Sequence, residues 1–476
     1  MADDSKIPKG RLRRSAKLGT AIGSQGAKYA GTKASSVFRS GDSSQEKLEE
    51  RHAETAAKMV ATLGQMKGAA MKIGQFASFI DIDFIPEEYR EVYQEPLARL
   101  RNDAPAMPWK DVVSVLEEEY DGEPVESLFD SIEKEAFAAA SIGQVHRGRL
   151  IDGRKVAVKI QYPGIAEALE ADLKNAGMLV RMARALAPGL DAREVTRELR
   201  ERVLEELDYE YEAQNQRSFA RAYRGHPFIY VPDVITRLSR RRVLVTEFVE
   251  GVNFDEILEM DHETRSRFGE IIFRGSFGSI YHLQHFNADP HPGNYLLMED
   301  GRVAFLDFGM TKKLDREQIE LDQRAVDAAV RNDPDGLRDA LHDLGFIKKP
   351  SKLDAEHLMN HVKSIGGWYM EDREIEIDGE RVMKVIESTH DPRSEYFDLM
   401  RRESIPADEL MGRRMEFGVL AVLGRLRAKR NWHRIMREWV YADPPSTELG
   451  REEWAYFEER GVFQVPGIAE PQKSDR

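Results

Sequence analysis

At 476 residues the chain is too long for one hydrophobic core and suits two or three packed units. Its composition is that of a folded soluble protein, with 41% hydrophobic and 32% charged residues, and a net charge of −14 argues against a nucleic-acid partner. With no cysteine there are no disulfides, thiolate metal ligands or Cys nucleophile, and a cytoplasmic location is expected.

Residues 1–43 form a basic leader, with Lys6, Lys9, Arg11, Arg13, Arg14, Lys17, Lys28, Lys33 and Arg39 and no acid from Ser5 to Arg39. Two readings stand: a segment that docks peripherally on the inner face of an anionic membrane, at ~1 kcal/mol per basic residue, or a solvated Gly- and Ser-rich leader. No apolar run approaches the ~18 residues of a membrane span, and no signal core is visible.

Residues 44–121 read as a helical extension. Ser44 to about Met66 shows helical spacing behind a Ser cap, Gly68–Phe79 continues it, and Pro86 opens another turn. A helix is predicted over Trp109–Tyr120, ended by a turn at Asp121-Gly122. Residues 122–249 read as a small β-rich unit. Val145–Leu150 and Lys155–Ile160 form a hairpin about Asp152-Gly153, Asp191 to about Tyr223 is a long charged helix, and Val231–Leu238 and Arg242–Val249 are strands. Residues 250–442 are mostly helical, apart from a strand pair at Tyr295–Met298 and Val303–Leu306. Residues 443–476 read as a polar surface tail.

Three short patterns lie in one order. Lys159 ends the strand Val156-Ala157-Val158. Asp289 and Asn294 are five apart in Asp289-Pro-His-Pro-Gly-Asn294. Asp307-Phe308-Gly309 follows Asn294 by thirteen residues, across a predicted hairpin that sets Asn294 beside Asp307. Each pattern alone is weak; their joint spacing is that of a protein kinase's phosphate-binding lysine, catalytic loop and metal-binding aspartate. Ala138-Ala139-Ala140-Ser141-Ile142-Gly143 stands where the glycine-rich loop would be, with Ala138 and Ala140 replacing the first two glycines.

These residues, with Lys72-Ile73-Gly74-Gln75, Glu206-Leu207-Asp208 and Asn287-Ala288-Asp289-Pro290-His291-Pro292-Gly293-Asn294, resemble the UbiB/AarF family of atypical kinases, relatives of the coenzyme Q biosynthesis kinase-like proteins. The resemblance runs from about Lys47 to Phe346. It implies an α+β, bilobal protein-kinase-like fold with an N-terminal helical extension, binding ATP or ADP with Mg²⁺.

By resemblance, Lys159 pairs with the phosphates and with Glu212, Asp307 and Asn294 hold the metal, and Asp289 is the catalytic-loop aspartate. Ala138, Ala139, Ala140, Ser141, Gly143, Val145, Glu247 and Val249 are the further nucleotide-contacting positions. Lys72 and Gln75 belong to an extension over the active site, with Glu206 as partner of Lys72 and Asp208 in the same motif. Glu206 and Glu212 are six apart, about 240° around a regular helix, so one lysine cannot serve both.

Departures from protein kinases shape the expected activity. The Cβ atoms of Ala138 and Ala140 restrict the loop, predicting slower transfer or altered preference between ATP and ADP. His291 stands where a lysine usually faces the transferring phosphate, and Asn287 where a histidine supports the catalytic loop. Thr311-Lys-Lys-Leu runs almost directly into a helix, leaving no long activation segment. Together these favour ATP hydrolysis or phosphorylation of a small molecule over a protein kinase. The expected partners are a nucleotide and a hydrophobic small molecule, lipid or quinone precursor; an antibiotic-type phosphotransferase and a nucleotide-binding pseudokinase scaffold are the alternatives. A histidine metal site at His282, His285 and His291 is the weakest reading.

Overall fold

The computed structural model describes residues 107–140, 142–167, 203–390 and 409–462, with isolated positions between them. They form two units, the first drawn from within 1–183, 199–207 and 240–245, the second from within 184–198, 208–239 and 246–476. The basic leader and the helices expected before residue 107, with Lys72 and Gln75, lie outside the described residues, as does Ser141. No helix among the described residues is long and apolar enough to cross a membrane.

In the first unit, α1 (Trp109–Glu119) ends at Tyr120, and Asp121 and Gly122 turn the chain with φ of 56° and 81°. A short helix, α2 (Val125–Leu128), leads into β1 (Phe129–Ile132). Then come β2 (Ala138–Ala140), β3 (Gly143–Leu150) and β4 (Lys155–Gln161). The sheet is completed by β6 (Val243–Glu247) in the order β1-β3-β4-β6, with β2 also on β3. Period-two alternation fixes the faces: Val156, Val158 and Ile160 are fully buried, while Ala157 and Lys159 point the other way. Helix α1 packs on β4 through Val112, Val115 and Leu116, and each such buried side chain contributes about 1.5–3 kcal/mol. Arg242 ties the sheet edge to α1, its Nε 2.5 Å from Glu119 and its Nη2 2.8 Å from Glu118.

In the second unit Asp208 Oδ1 accepts from Glu210 N at 3.0 Å and caps α3 (Tyr209–Ala222). This cap corrects the long helix expected through Tyr223: Leu207 leaves the helix, so Glu206 and Glu212 do not share one cylinder. The strand expected over Val231–Leu238 is also not formed. Only β5 (Ile229–Tyr230) and a single bridge from Val234 to Thr246 are present, because Pro232 lacks an amide donor. Downstream are α4 (Phe254–Leu258), α5 (His262–Phe273), a π-helical turn Arg274–Gly278 and α6 (Ser279–Leu283).

Next come β7 (His285–Asn287), β8 (Tyr295–Leu297), β9 (Val303–Phe305) and β10 (Thr311–Lys313). β5 joins β9 and β8 in one sheet, and β10 pairs antiparallel with β7 in another. Helices α7 (Arg316–Val330), α8 (Pro334–Asp343), α9 (Ala355–Met370), α10 (Gly379–His390), α11 (Leu410–Leu426), α12 (Trp432–Val440) and α13 (Glu448–Glu459) complete the unit. Phe273 sits among Trp368, Trp432 and Trp439, all buried, at ring distances of 5.7, 5.1 and 5.8 Å.

Helix α13 corrects the polar tail expected from residue 443. Leu449, Glu453, Tyr456 and Phe457 recur at helical spacing and are buried. Glu453 meets a fully buried Arg274, whose guanidinium also reaches Glu270 and Glu438 at 3.0 and 2.9 Å.

Candidate active site

In the first unit, β2, β3 and β4 set Ala138 opposite Val145 and Val145 opposite Lys159. Directly paired residues of antiparallel strands share a face, so these three side chains form one row. Lys159 is half-buried in that row, on the face away from the core stripe of its own strand. The expected glycine-loop segment is thus the β2–β3 hairpin. Gly143 has a packing reason to lack a side chain, since a Cβ there would lie 2.1 Å from the Ile160 carbonyl oxygen. Glu206 is half-buried just before the helix break, and Asp208 is the α3 cap.

In the second unit the residues expected to form the catalytic loop make one bonded network. Asn287 Nδ2 donates to Asp307 O at 2.6 Å, and Asn287 Oδ1 accepts from Asp289 N at 2.9 Å. A single side chain therefore links the loop to the Asp307 segment, in the position where protein kinases carry a histidine. Asn294 Nδ2 donates to Asp289 O at 3.0 Å, which turns its Oδ1 into the acceptor end. Leu306 N donates to Asn294 O at 3.0 Å, so the β8–β9 hairpin sets Asn294 and Asp307 on adjoining backbone. Asp307 Oδ1 accepts from Gly309 N at 2.9 Å. His291 Nδ1 accepts from Gly293 N at 3.1 Å, placing the proton of a neutral ring on Nε2.

Helix α3 holds this segment from behind. Asn215 Nδ2 donates to Phe308 O at 3.3 Å, and the Phe219 ring lies 4.8 Å from Phe308 and 4.6 Å from His285. Burial, with Lys313 nearby, pushes His285 down to about 4, so it serves as a neutral packing ring. Glu212, buried on the first turn of α3, faces the same backbone. A Cβ on Gly309 would lie 3.6 Å from Glu212 Oε2 and 3.3 Å from Asp307 Oδ1. Two carboxylates thus flank one glycine. Asn294 and Asp307 supply the hard oxygen donors that suit Mg²⁺, an ion that takes its other ligands from water and phosphate.

Other expected positions divide differently. Glu247 Oε2 accepts from Tyr230 OH at 2.8 Å and Asp233 N at 2.9 Å, so its carboxylate is engaged in the fold. Burial and that carboxylate push the Tyr230 hydroxyl up to about 12. Val249 lies in the stretch after β6. The three histidines go separate ways: His282 stacks on Phe457 at 4.0 Å, His285 packs at a tilt against Phe219, and His291 bonds within its own loop.

Arg414 on α11 was not visible in the sequence. Its Nη2 lies 2.5 Å from Asp289 Oδ1, and its Nε donates to Ala288 O at 3.1 Å. One turn on, Gly418 admits Pro290: a Cβ there would come within 2.4 Å of Pro290 Cγ. The only sequence signal is Arg and Gly four apart on one helix face. Replacing Arg414 by Ala is expected to lower ATP turnover about tenfold with little change in nucleotide KM. Lys should restore only part, because one ammonium cannot span the carboxylate and the carbonyl. Steady-state turnover of both variants checks this.

Residues 99–341 match the ABC1 atypical kinase-like domain, half of the chain. The chain belongs to this family. Its members are the UbiB-type atypical kinases, so the α+β kinase-like fold expected from the motifs is the fold of this domain. Similar ABC1 proteins include the mitochondrial atypical kinase COQ8B of Danio rerio, 37% identical over 263 residues, covering 55% of this chain and 41% of that one. COQ8B of Rattus norvegicus is 34% identical over 293 residues, covering 61% and 54%. The chain thus spans about half the length of these curated relatives. Among solved structures, the Rv3197–erythromycin complex from Mycobacterium tuberculosis is 32% identical with a TM-score of 0.60, covering 84% of this chain and all of that one. Arg414 and helix α13 lie beyond the matched ABC1 segment.

Proposed function

We propose that this ABC1 protein binds ATP or ADP with Mg²⁺ and hydrolyses ATP, or transfers its phosphate to a small molecule, in the handling of a hydrophobic ligand. The observation that carries this reading is the bonded set Asn287, Asp289, Asn294 and Asp307, in which one asparagine fixes both aspartates. Bound magnesium would neutralise charge on the β- and γ-phosphates, held by Asn294 and Asp307. Lys159 is assigned to the phosphates, and the row it shares with Ala138 and Val145 to the nucleotide's face. Asp289 orients the attacking hydroxyl or water; Arg414 occupies its Oδ1, leaving Oδ2 for the proton.

A protein acceptor is disfavoured by the chain after Gly309. β10 pairs at once with β7, and α7 starts at Arg316, which leaves no long docking segment. For the ligand, two classes have support in the relatives: quinone precursors, from the relation to COQ8 proteins, and macrolides, from the erythromycin complex of the M. tuberculosis relative. We favour a large apolar ligand of either class over a peptide.

The test is a thermal-shift and phosphate-release panel crossing ATP, ADP and Mg²⁺ with erythromycin, a quinone precursor and anionic liposomes. Saturating Mg²⁺-nucleotide is expected to raise Tm by several degrees, as about 100 Kd of ligand adds about 2.7 kcal/mol. Lys159→Met should lose most of that shift. No shift with either nucleotide at millimolar concentration would overturn the proposal.

A further inference from the structure

A helix leaves its last carbonyls without intrahelical donors, and burial obliges something else to satisfy them. At the end of α3 the donors come from the far end of the chain. Tyr456 OH on α13 is shared between Ala222 O at 2.8 Å and Arg224 O at 3.1 Å. Arg460 Nη2, just past α13, donates to Arg224 O at 3.2 Å, and its guanidinium lies 3.8 Å over the Tyr456 ring. A positive charge there also complements the negative end of the α3 dipole. Apolar contacts close the junction: Phe457 meets Tyr223 at 6.3 Å, and His226 stands edge-on to Tyr456 at 4.5 Å.

The other end of α13 cannot drift. Glu453 bonds Arg274 at 2.8 Å, and Thr447 Oγ1 donates to Glu270 at 2.6 Å while capping α13 at Gly450. Gly450 sits so close to Arg274 and Glu438 that a Cβ would come within 2.7 and 2.8 Å of them. Helix α13 is thus anchored on α5 and the π-helical turn, and reaches from there to α3. Ten residues up α3, about 15 Å along a rigid rod, stands Glu212 beside Asp307 and Gly309.

We propose that α13 is a positioning element for the nucleotide site: it caps α3 in trans and thereby sets Glu212 against the Asp307–Gly309 segment. This rests on the proposed role of that segment in holding the nucleotide's metal. It gives the chain beyond the matched ABC1 segment a part in the chemistry. Tyr456 and Arg460 are the positioning residues, and whatever displaces α13 would loosen the site from a distance.

The experiment compares the full-length protein with Tyr456→Phe, which keeps the ring, and Arg460→Ala, which alters an exposed side chain. Amide hydrogen exchange is read at two places, Phe219–Arg224 and Asp307–Met310, alongside the Kd for Mg²⁺-ADP. Exchange is expected to quicken about fivefold at both places, the loss of roughly one net hydrogen bond, with Kd weakened three- to tenfold. Faster exchange at Phe219–Arg224 alone, with Asp307–Met310 unchanged, would make the contact a local cap and overturn the positioning role. No change at either place overturns the proposal outright. If the unaltered protein binds no nucleotide, the reading of the site fails, while the two exchange measurements still decide whether α13 holds the Asp307 segment.

Discussion

Asp307→Asn is expected to cut Mg²⁺-dependent ATP turnover by at least about 100-fold while the protein stays folded. The substitution is isosteric, and two bonds made by residue 307 survive it. Asn287 donates to the backbone oxygen of residue 307, and the Gly309 amide needs only an acceptor oxygen, which asparagine offers. What disappears is one negative charge at the point where a divalent cation would be held, and electrostatic groups of this kind are worth about 2.7–4 kcal/mol in the transition state. Single-turnover phosphate release at saturating Mg²⁺ checks the loss. Nucleotide affinity measured with and without the metal should show that only the metal-dependent part falls. Turnover within threefold of the unaltered protein would mean that Asp307 does not hold the cation.

The largest expected loss of stability lies elsewhere, at Arg274. Removing its guanidinium, as in Arg274→Met, takes an arginine partner from Glu270, Glu438 and Glu453, all almost wholly buried, with Arg430 still serving Glu270 at 2.8 Å and Ser446 still donating to Glu438. Breaking a buried ionic cluster on one side costs about 3–5 kcal/mol, here a fall in Tm of about 10 °C at pH 7. The pH dependence has a definite sign. Burial pushes the Glu453 carboxyl up, but Arg274, then His282 and His226, more than offset this and hold it at about 2. A carboxyl depressed in the folded state gives stability that is present above its unfolded value of about 4.5 and lost as pH falls toward 2. Without Arg274 that depression goes, so the gap between variant and unaltered protein should be widest near neutrality and narrow below about pH 4.5. Thermal unfolding at pH 7 and pH 4 measures it; an equal gap at both would show that the carboxylates are not what Arg274 stabilises.

What the sequence revealed followed distance along the chain. Lys159 could be placed because the alternation of Val156, Val158 and Ile160 fixes its face, and Asn294 and Asp307 because a short hairpin is a local structure. Asp208 carried a legible signal, a capping residue ahead of an amphipathic run, yet the charge pattern on both sides masked the break. Helix α13 was misjudged for a related reason: in Glu452-Glu453-Trp454-Ala455-Tyr456-Phe457-Glu458-Glu459 acids are as many as apolar residues, and nothing local says that Glu453 is buried against Arg274, 179 residues away. Arg414 is the extreme case. Its partner Asp289 lies 125 residues back, and neither residue changes the local pattern of the other.

The brief path from Gly309 into β10 has a consequence for inhibitor design. Compounds that stabilise a kinase by levering out the aromatic residue of its Asp-Phe-Gly triplet need slack on either side of that ring. Here Phe308 is almost fully buried, packs against Phe219 and is tethered through Asn215, and two residues beyond Gly309 the backbone is already laddered to β7. Swinging the ring away would unzip that ladder and empty part of the α3 interface at once. Ligands of this chain should therefore be sought among molecules that leave Phe308 in place.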